Sequence, residues 1–132
     1  MIARKLILLP AMAIAVVGWP FMVAGQTAGK STPQGKAAFA SCAGCHSIDP
    51  KNPSTLAPTL AGVTGRKAGT YPGFKYSTAL VNSGIVWDKA SLDKWLTRPT
   101  AAVPGTRMMV SVSDAKKRKL LIEYLATLRA RE

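Results

Sequence analysis

Both cysteines and the only histidine of this 132-residue chain fall within five consecutive residues, Cys42-Ala43-Gly44-Cys45-His46. Clustering that tight needs a chemical reason. Two thiols separated by two residues can add to the two vinyl groups of a haem, and the adjacent imidazole then reaches the iron from the same side. A structural zinc site needs four nitrogen or sulfur ligands, whereas the whole chain offers three Cys and His side chains. A redox dithiol or plain disulfide uses the same spacing, but a thioredoxin-like site sits in a βαβ pattern that this sequence lacks. The motif therefore points to one covalently attached haem c, with Cys42 and Cys45 as thioether anchors and His46 as an axial iron ligand.

The N-terminus reads as an export segment. Met1 to Lys5 is a short basic start, and Leu6 to Val17 follows as an apolar run broken only by Pro10. Small residues at Val23-Ala24-Gly25 suit cleavage after Gly25, which makes residues 1–25 a signal peptide and places the domain in the periplasm. The competing reading is an uncleaved inner-membrane anchor, because Leu6 to Ala24 spans nineteen residues without a charge. Pro10, Gly18 and Pro20 weigh against that, and the intact mass of the exported protein distinguishes the two. Residues 26–32 form a short polar linker, about 25 Å long even when fully extended, so an anchored form has little reach.

What remains after residue 25 is about 107 residues, enough for one domain and one site. Thr32-Pro33 resembles an N-cap followed by proline at the first helical position, predicting a helix from Pro33 into the cysteine motif. From Ser47 to Gly73 there are four prolines and four glycines and no sustained periodicity, which predicts an ordered loop around a bulky cofactor. Tyr76 to Val81 suits a short helical turn. Asp88 to Leu96 suits a helix stopped by Pro99, with Leu92, Trp95 and Leu96 on one face and Lys89 and Asp93 opposite. A last helix is capped by Ser113-Asp114 and runs to about Ala130, with a stripe of Leu121, Tyr124, Leu125 and Leu128. No segment reads as a strand, so the fold class is all-α: three main helices, short helical turns and long ordered loops.

Eighteen Lys and Arg stand against six Asp and Glu, a net charge of +12; without Arg4 and Lys5 it is still +10. A surface this basic steers toward acidic partners. Nucleic acid does not fit, since there is no recognition motif and no aromatic interleaving of the basic residues. Acidic docking surfaces of other proteins do, and a membrane would be met only through residues 1–25 if these stay uncleaved.

The iron's second axial position has no second histidine to fill it. Methionine, lysine or an open site are the alternatives. Met108 and Met109 stand out, because Pro104-Gly105-Thr106-Arg107-Met108 is a turn-forming segment able to hold a side chain at fixed distance.

At this point the chain resembles class I cytochrome c, the mitochondrial type and its bacterial c2 and c550 relatives, across residues 33 to 130. The family's Pro-Gly-Thr-Lys-Met segment is matched by Pro104 to Met108, with Arg107 replacing the lysine. Pro58-Thr59-Leu60, Gly65-Arg66-Lys67 and Pro72-Gly73-Phe74-Lys75-Tyr76 echo the family's loop at ungapped spacing from His46. The resemblance implies a cytochrome c fold with Met108 as the sixth ligand and Thr106 among the cofactor-contacting residues. It also implies that a carbonyl of the Pro58 region backs His46, and that Tyr76, Trp87 and Arg66 bind or neutralise a buried propionate. Gly35 and Phe39 on the first helix would meet Leu121 and Tyr124 on the last.

This chain also departs from the family. Trp95 stands where a tyrosine often lies near the methionine sulfur, and it can donate only through its indole N–H. Leu80 replaces an asparagine near the haem, Val110 replaces a phenylalanine at its edge, and Ser41 replaces a lysine before the first cysteine. Lys75, Arg107, Lys116 and Lys117 are then the candidates for a basic docking face.

The resulting expectation is a monomeric monohaem carrier of single electrons and not an enzyme. Its partners would be a bc1-type complex, cytochrome oxidase, a photosynthetic reaction centre or a periplasmic dehydrogenase. The rival is a haem enzyme or gas sensor with an open sixth position, recognisable by a missing methionine-to-iron absorption band.

Overall fold

A computed structural model describes residues 32–54 and 56–128. The leader at 1–25, the linker up to residue 31 and the chain end from residue 129 lie outside the described residues. Five helices appear in order: α1 (Pro33–Phe39), α2 (Thr78–Val81), α3 (Lys89–Thr97), α4 (Pro99–Ala102) and α5 (Ala115–Thr127). The described residues hold no sheet; an isolated antiparallel bridge joins Lys67 to Val86. None of the described helices is long and apolar enough to cross a membrane.

Local chemistry starts these helices where the sequence says it should. Thr32 accepts the Gly35 N–H at 3.1 Å, with Pro33 at the first helical position. Asp88 and Ser91 form a reciprocal capping box at the start of α3: Ser91 N donates to Asp88 Oδ1 at 2.7 Å and Asp88 N to Ser91 Oγ at 2.8 Å. Asp114 accepts the Lys117 N–H at 2.9 Å and opens α5.

Three boundaries differ from expectation, one of them the end of α5, which stops at Thr127 with Leu128 extended instead of running to about Ala130. The first helix ends at Phe39 instead of running helically into the cysteines; beyond it the chain continues in hydrogen-bonded turns, with Cys42 N on the Phe39 carbonyl at 2.8 Å and Cys45 N on the Cys42 carbonyl at 3.1 Å. Pro99 ends α3 by forcing Arg98 into an extended conformation, yet it also starts α4, since a proline has no N–H to lose at a first helical position.

The core forms where α1 crosses α5 and α3 packs on α5. Leu121 is fully buried, with Ile122, Tyr124 and Leu125 beside it, so the stripe read on α5 faces inward and gains Ile122. Leu92, Trp95 and Leu96 of α3 are buried as read, while Lys89 and Asp93 are exposed. Phe39 meets Tyr124 with ring centroids 5.9 Å apart. Gly35 permits the crossing: a Cβ there would lie 2.8 Å from Tyr124 Cβ and 3.1 Å from the Leu120 carbonyl oxygen.

The long irregular stretch after the cysteines is fastened by backbone bonds to other parts of the chain. Leu60 N reaches the Ser47 carbonyl at 2.8 Å, Gly62 N the Leu128 carbonyl at 2.7 Å, and Ala68 N the Ile85 carbonyl at 2.8 Å. Gly65 N and Trp87 N complete the set by donating to the Trp87 and Arg66 carbonyls at 2.7 and 3.0 Å. Thr59, fully buried, donates its hydroxyl to the Ser47 carbonyl at 2.9 Å, so its burial leaves no polar atom unpaired.

Candidate haem site

The turns after α1 place Cys42, Cys45 and His46 on the wall of a cavity of about 500 Å³. Much of its lining is aliphatic, including Leu60, Val63, Leu80, Leu92, Leu96 and Leu121. Such a volume and lining suit a large flat apolar ligand held by a few polar groups. Met108, Pro58, Arg66, Tyr76, Trp87, Trp95 and Thr106, named from sequence, all line it too.

His46 is aimed by a single bond. Its Nδ1 lies 2.7 Å from the Pro58 carbonyl oxygen, and a carbonyl only accepts, so Nδ1 carries the proton and Nε2 keeps the lone pair. Burial holds the ring below the ordinary imidazole value, against the raising effect of that carbonyl. A neutral imidazole with one nitrogen committed and the other free is the form that binds a metal.

Met108 is held from two sides. Its backbone N–H reaches Thr106 Oγ1 at 3.3 Å, and its Sδ accepts the Trp95 indole N–H at 3.3 Å. The Trp95 substitution thus keeps a donor on the sulfur. Gly105, at φ 89°, supplies the left-handed turn that brings Thr106 and Met108 back toward the cavity. Trp95 is fixed in turn by Trp87, edge to face at 5.3 Å between centroids.

Arg66 makes contacts in addition to the role that the resemblance implies for it. Its guanidinium donates to the Ala61 carbonyl at 3.1 Å and the Thr59 carbonyl at 2.9 Å, and lies 5.0 Å from the Tyr71 ring centroid. It braces the loop as well as bringing a positive charge to the cavity wall. Burial lowers its affinity for the proton, partly offset by Tyr76 and Tyr71. Burial likewise raises the Tyr76 phenol, which therefore stays protonated and able to donate. Tyr71 carries no signal in the sequence, and Thr59 enters there only as part of the Pro58-Thr59-Leu60 echo; a threonine inside a loop reveals no bracing role until its burial is known.

The docking candidates fall into two groups. Arg107 donates to the Lys75 carbonyl, joining those two cations beside the Met108 turn. Lys117 lies near enough to Cys42 to oppose the rise that burial imposes on its thiol. Ser41 turns its hydroxyl onto the Ala38 carbonyl at 3.1 Å and serves the turn. Leu56, Met109 and Val110 are all more than half exposed at the cavity's lining and give it an apolar lip.

The donor set, two thiols, one oriented imidazole and one thioether around a largely aliphatic cavity, fits a covalently attached haem. The family described as cytochrome c matches residues 33–129. Cytochrome c2 of Rhodomicrobium vannielii is 40% identical over 119 residues, covering 89% of this chain and 95% of that protein. Cytochrome c of Euglena viridis is 46% identical over 98 residues, with 73% and 95% covered. Among solved structures, cytochrome cH from Methylobacterium extorquens matches with a TM-score of 0.66 at 44% identity, covering 71% of this chain and 95% of that one. This chain belongs to the cytochrome c family, with one covalently attached haem c and the function of an electron carrier, not an enzyme.

Proposed function

We propose that the protein is an exported, diffusing carrier that shuttles single electrons in the periplasm between respiratory or photosynthetic complexes with acidic docking surfaces. The observation that carries this reading is the Trp95–Met108 contact, because a thioether already oriented on the cavity wall would hold the haem iron together with His46. His46 and Met108 would both be spent on holding the haem, which suits electron transfer and not the binding of a substrate. Bound haem supplies the one-electron ferrous/ferric couple. The residues supply the rest: Pro58 orients His46, Trp95 orients Met108, and Arg66, Tyr76 and Trp87 answer the propionate charge.

The apolar lip of Leu56, Met109 and Val110 together with the surrounding cations suits brief contact with a partner, in which charge steers approach and a small interface permits release. A bc1-type complex, an oxidase, a reaction centre or a periplasmic dehydrogenase would each meet that description. The test is stopped-flow electron transfer with membranes containing these complexes. The second-order rate is expected to fall about tenfold between about 0.01 M and about 0.15 M ionic strength. A rate insensitive to salt would rule out acidic docking.

Trp95 tunes the couple under this reading. Its N–H withdraws density from the sulfur and so favours the reduced state. In Trp95→Phe the methionine-to-iron absorption should persist while the reduction potential drops by about 40 mV, the equivalent of one modest hydrogen bond in a one-electron couple. A redox titration that finds no shift would remove Trp95 from the tuning role.

A further inference from the structure

The segment after Met108 is exposed: Met109 is 73% and Val110 56% accessible. It has no helix or strand of its own, so its stiffness depends on where it is next fastened. That fastening is at Val112 and Ser113. Val112 is buried, and its N–H reaches the Leu96 carbonyl of α3 at 2.7 Å. Arg118 of α5 donates through Nη1 to the Val112 carbonyl at 2.9 Å and the Ser113 carbonyl at 3.1 Å. Its Nε donates at 2.7 Å to Asp93 Oδ1 of α3, an ion pair between a largely buried Arg118 side chain (11% exposed) and a half-exposed Asp93 side chain (52%).

We propose that Asp93 and Arg118 form a clamp on the downstream end of the Met108 segment and act as positioning residues for the sixth ligand. The inference rests on reading Met108 as that ligand. Arg118 spends its donors on two backbone carbonyls, and Asp93 fixes the plane of the guanidinium so that both are reached. α3 thereby grips the segment at three neighbouring residues: Asp93 through Arg118, Trp95 at the Met108 sulfur, and Leu96 at Val112. Because these grips sit on one helix, loosening one leaves the sulfur held by fewer constraints. The clamp favours the arrangement in which Met108 stays on the cavity wall over one in which the segment swings outward.

An added ligand reads that equilibrium directly. Imidazole can take the sixth position only when Met108 has left it, so its apparent affinity rises in proportion to the fraction of molecules in which the segment is open. The experiment titrates imidazole into the haem-loaded ferric protein, following the methionine-to-iron absorption, in wild type, Asp93→Asn, Arg118→Met and Asp88→Ala. Asp93→Asn removes a half-exposed ion pair and is expected to tighten imidazole binding about threefold. Arg118→Met also leaves two carbonyls without a donor, and about tenfold is expected. Asp88→Ala removes the cap of the same helix without touching the clamp, so it lowers the denaturant midpoint while imidazole affinity stays at the wild-type value. Unchanged imidazole affinity in Asp93→Asn, or an equal gain in Asp88→Ala, overturns the clamp. A wild-type protein lacking the methionine-to-iron absorption overturns instead the assignment of Met108, so the two failures are distinguishable.

Discussion

Met108→Ala will abolish the methionine-to-iron absorption and lower the reduction potential by roughly 0.1 to 0.3 V, a sizeable part of the range that axial ligands command. The sulfur is a soft, polarisable donor that favours the reduced state, and any replacement from water or a lysine is harder and favours the oxidised one. Met109→Ala is the internal control. Met109 adjoins Met108 in sequence, but its side chain is 73% exposed, whereas the Met108 sulfur accepts the Trp95 N–H at 3.3 Å. Its loss should leave both the absorption and the potential unchanged. The paired measurement is a spectrum of the ferric protein and a redox titration of each variant. If the effects were reversed between the two methionines, the ligand would be Met109 and the Trp95 contact would be incidental packing.

The parts of the molecule legible in the sequence are those specified over a few residues. Thr32-Pro33, Asp88 with Ser91, and Asp114 each cap a helix through bonds spanning three residues, and the apolar faces of α3 and α5 follow from local periodicity. Cys42 to His46 is legible for the same reason, since its chemistry is complete within five positions. The contacts that were not legible span long separations between residue types with many uses. Arg66 gives two bonds to carbonyls of Thr59 and Ala61, and backbone carbonyls are anonymous in a sequence. Asp93 and Arg118 are 25 residues apart, and each reads by itself as a solvated charge on a helix face. Pro99 signals an end in the sequence because proline stops helices, but it serves equally as a beginning.

These long-range contacts share an organisation. α3 carries Trp95 for the Met108 sulfur and Leu92 and Leu96 for the cavity wall, and its preceding turn carries Trp87. α1 leads into the covalent motif, and α5 lies against both helices. The site is therefore only as rigid as the packing of three short helices, of which α1 has seven residues and could not persist alone. Cofactor geometry and the α1–α5 crossing are one structural problem.

That dependence makes Gly35→Val the most damaging single change expected away from the cavity. A valine Cβ would sit 2.8 Å from Tyr124 Cβ and 3.1 Å from the Leu120 carbonyl oxygen. Neither atom lies at the end of a flexible side chain, so α1 must move away from α5 as a body. Moving it opens the Phe39–Tyr124 contact and shifts the turns that carry Cys42 and His46. Overpacking of this kind costs about 3 kcal/mol, against a total stability of roughly 5 to 15 kcal/mol for a domain of this size. The gain in helix propensity from replacing glycine returns only a few tenths of a kcal/mol. Gly44→Ala provides the contrast: it lies inside the haem motif itself, yet a Cβ there meets no protein atom within 4 Å. Denaturant midpoints and the yield of covalent haem should both fall sharply for Gly35→Val and stay near wild type for Gly44→Ala. Equal midpoints in the two variants would mean that the helix crossing is not what holds the cysteine turns in place.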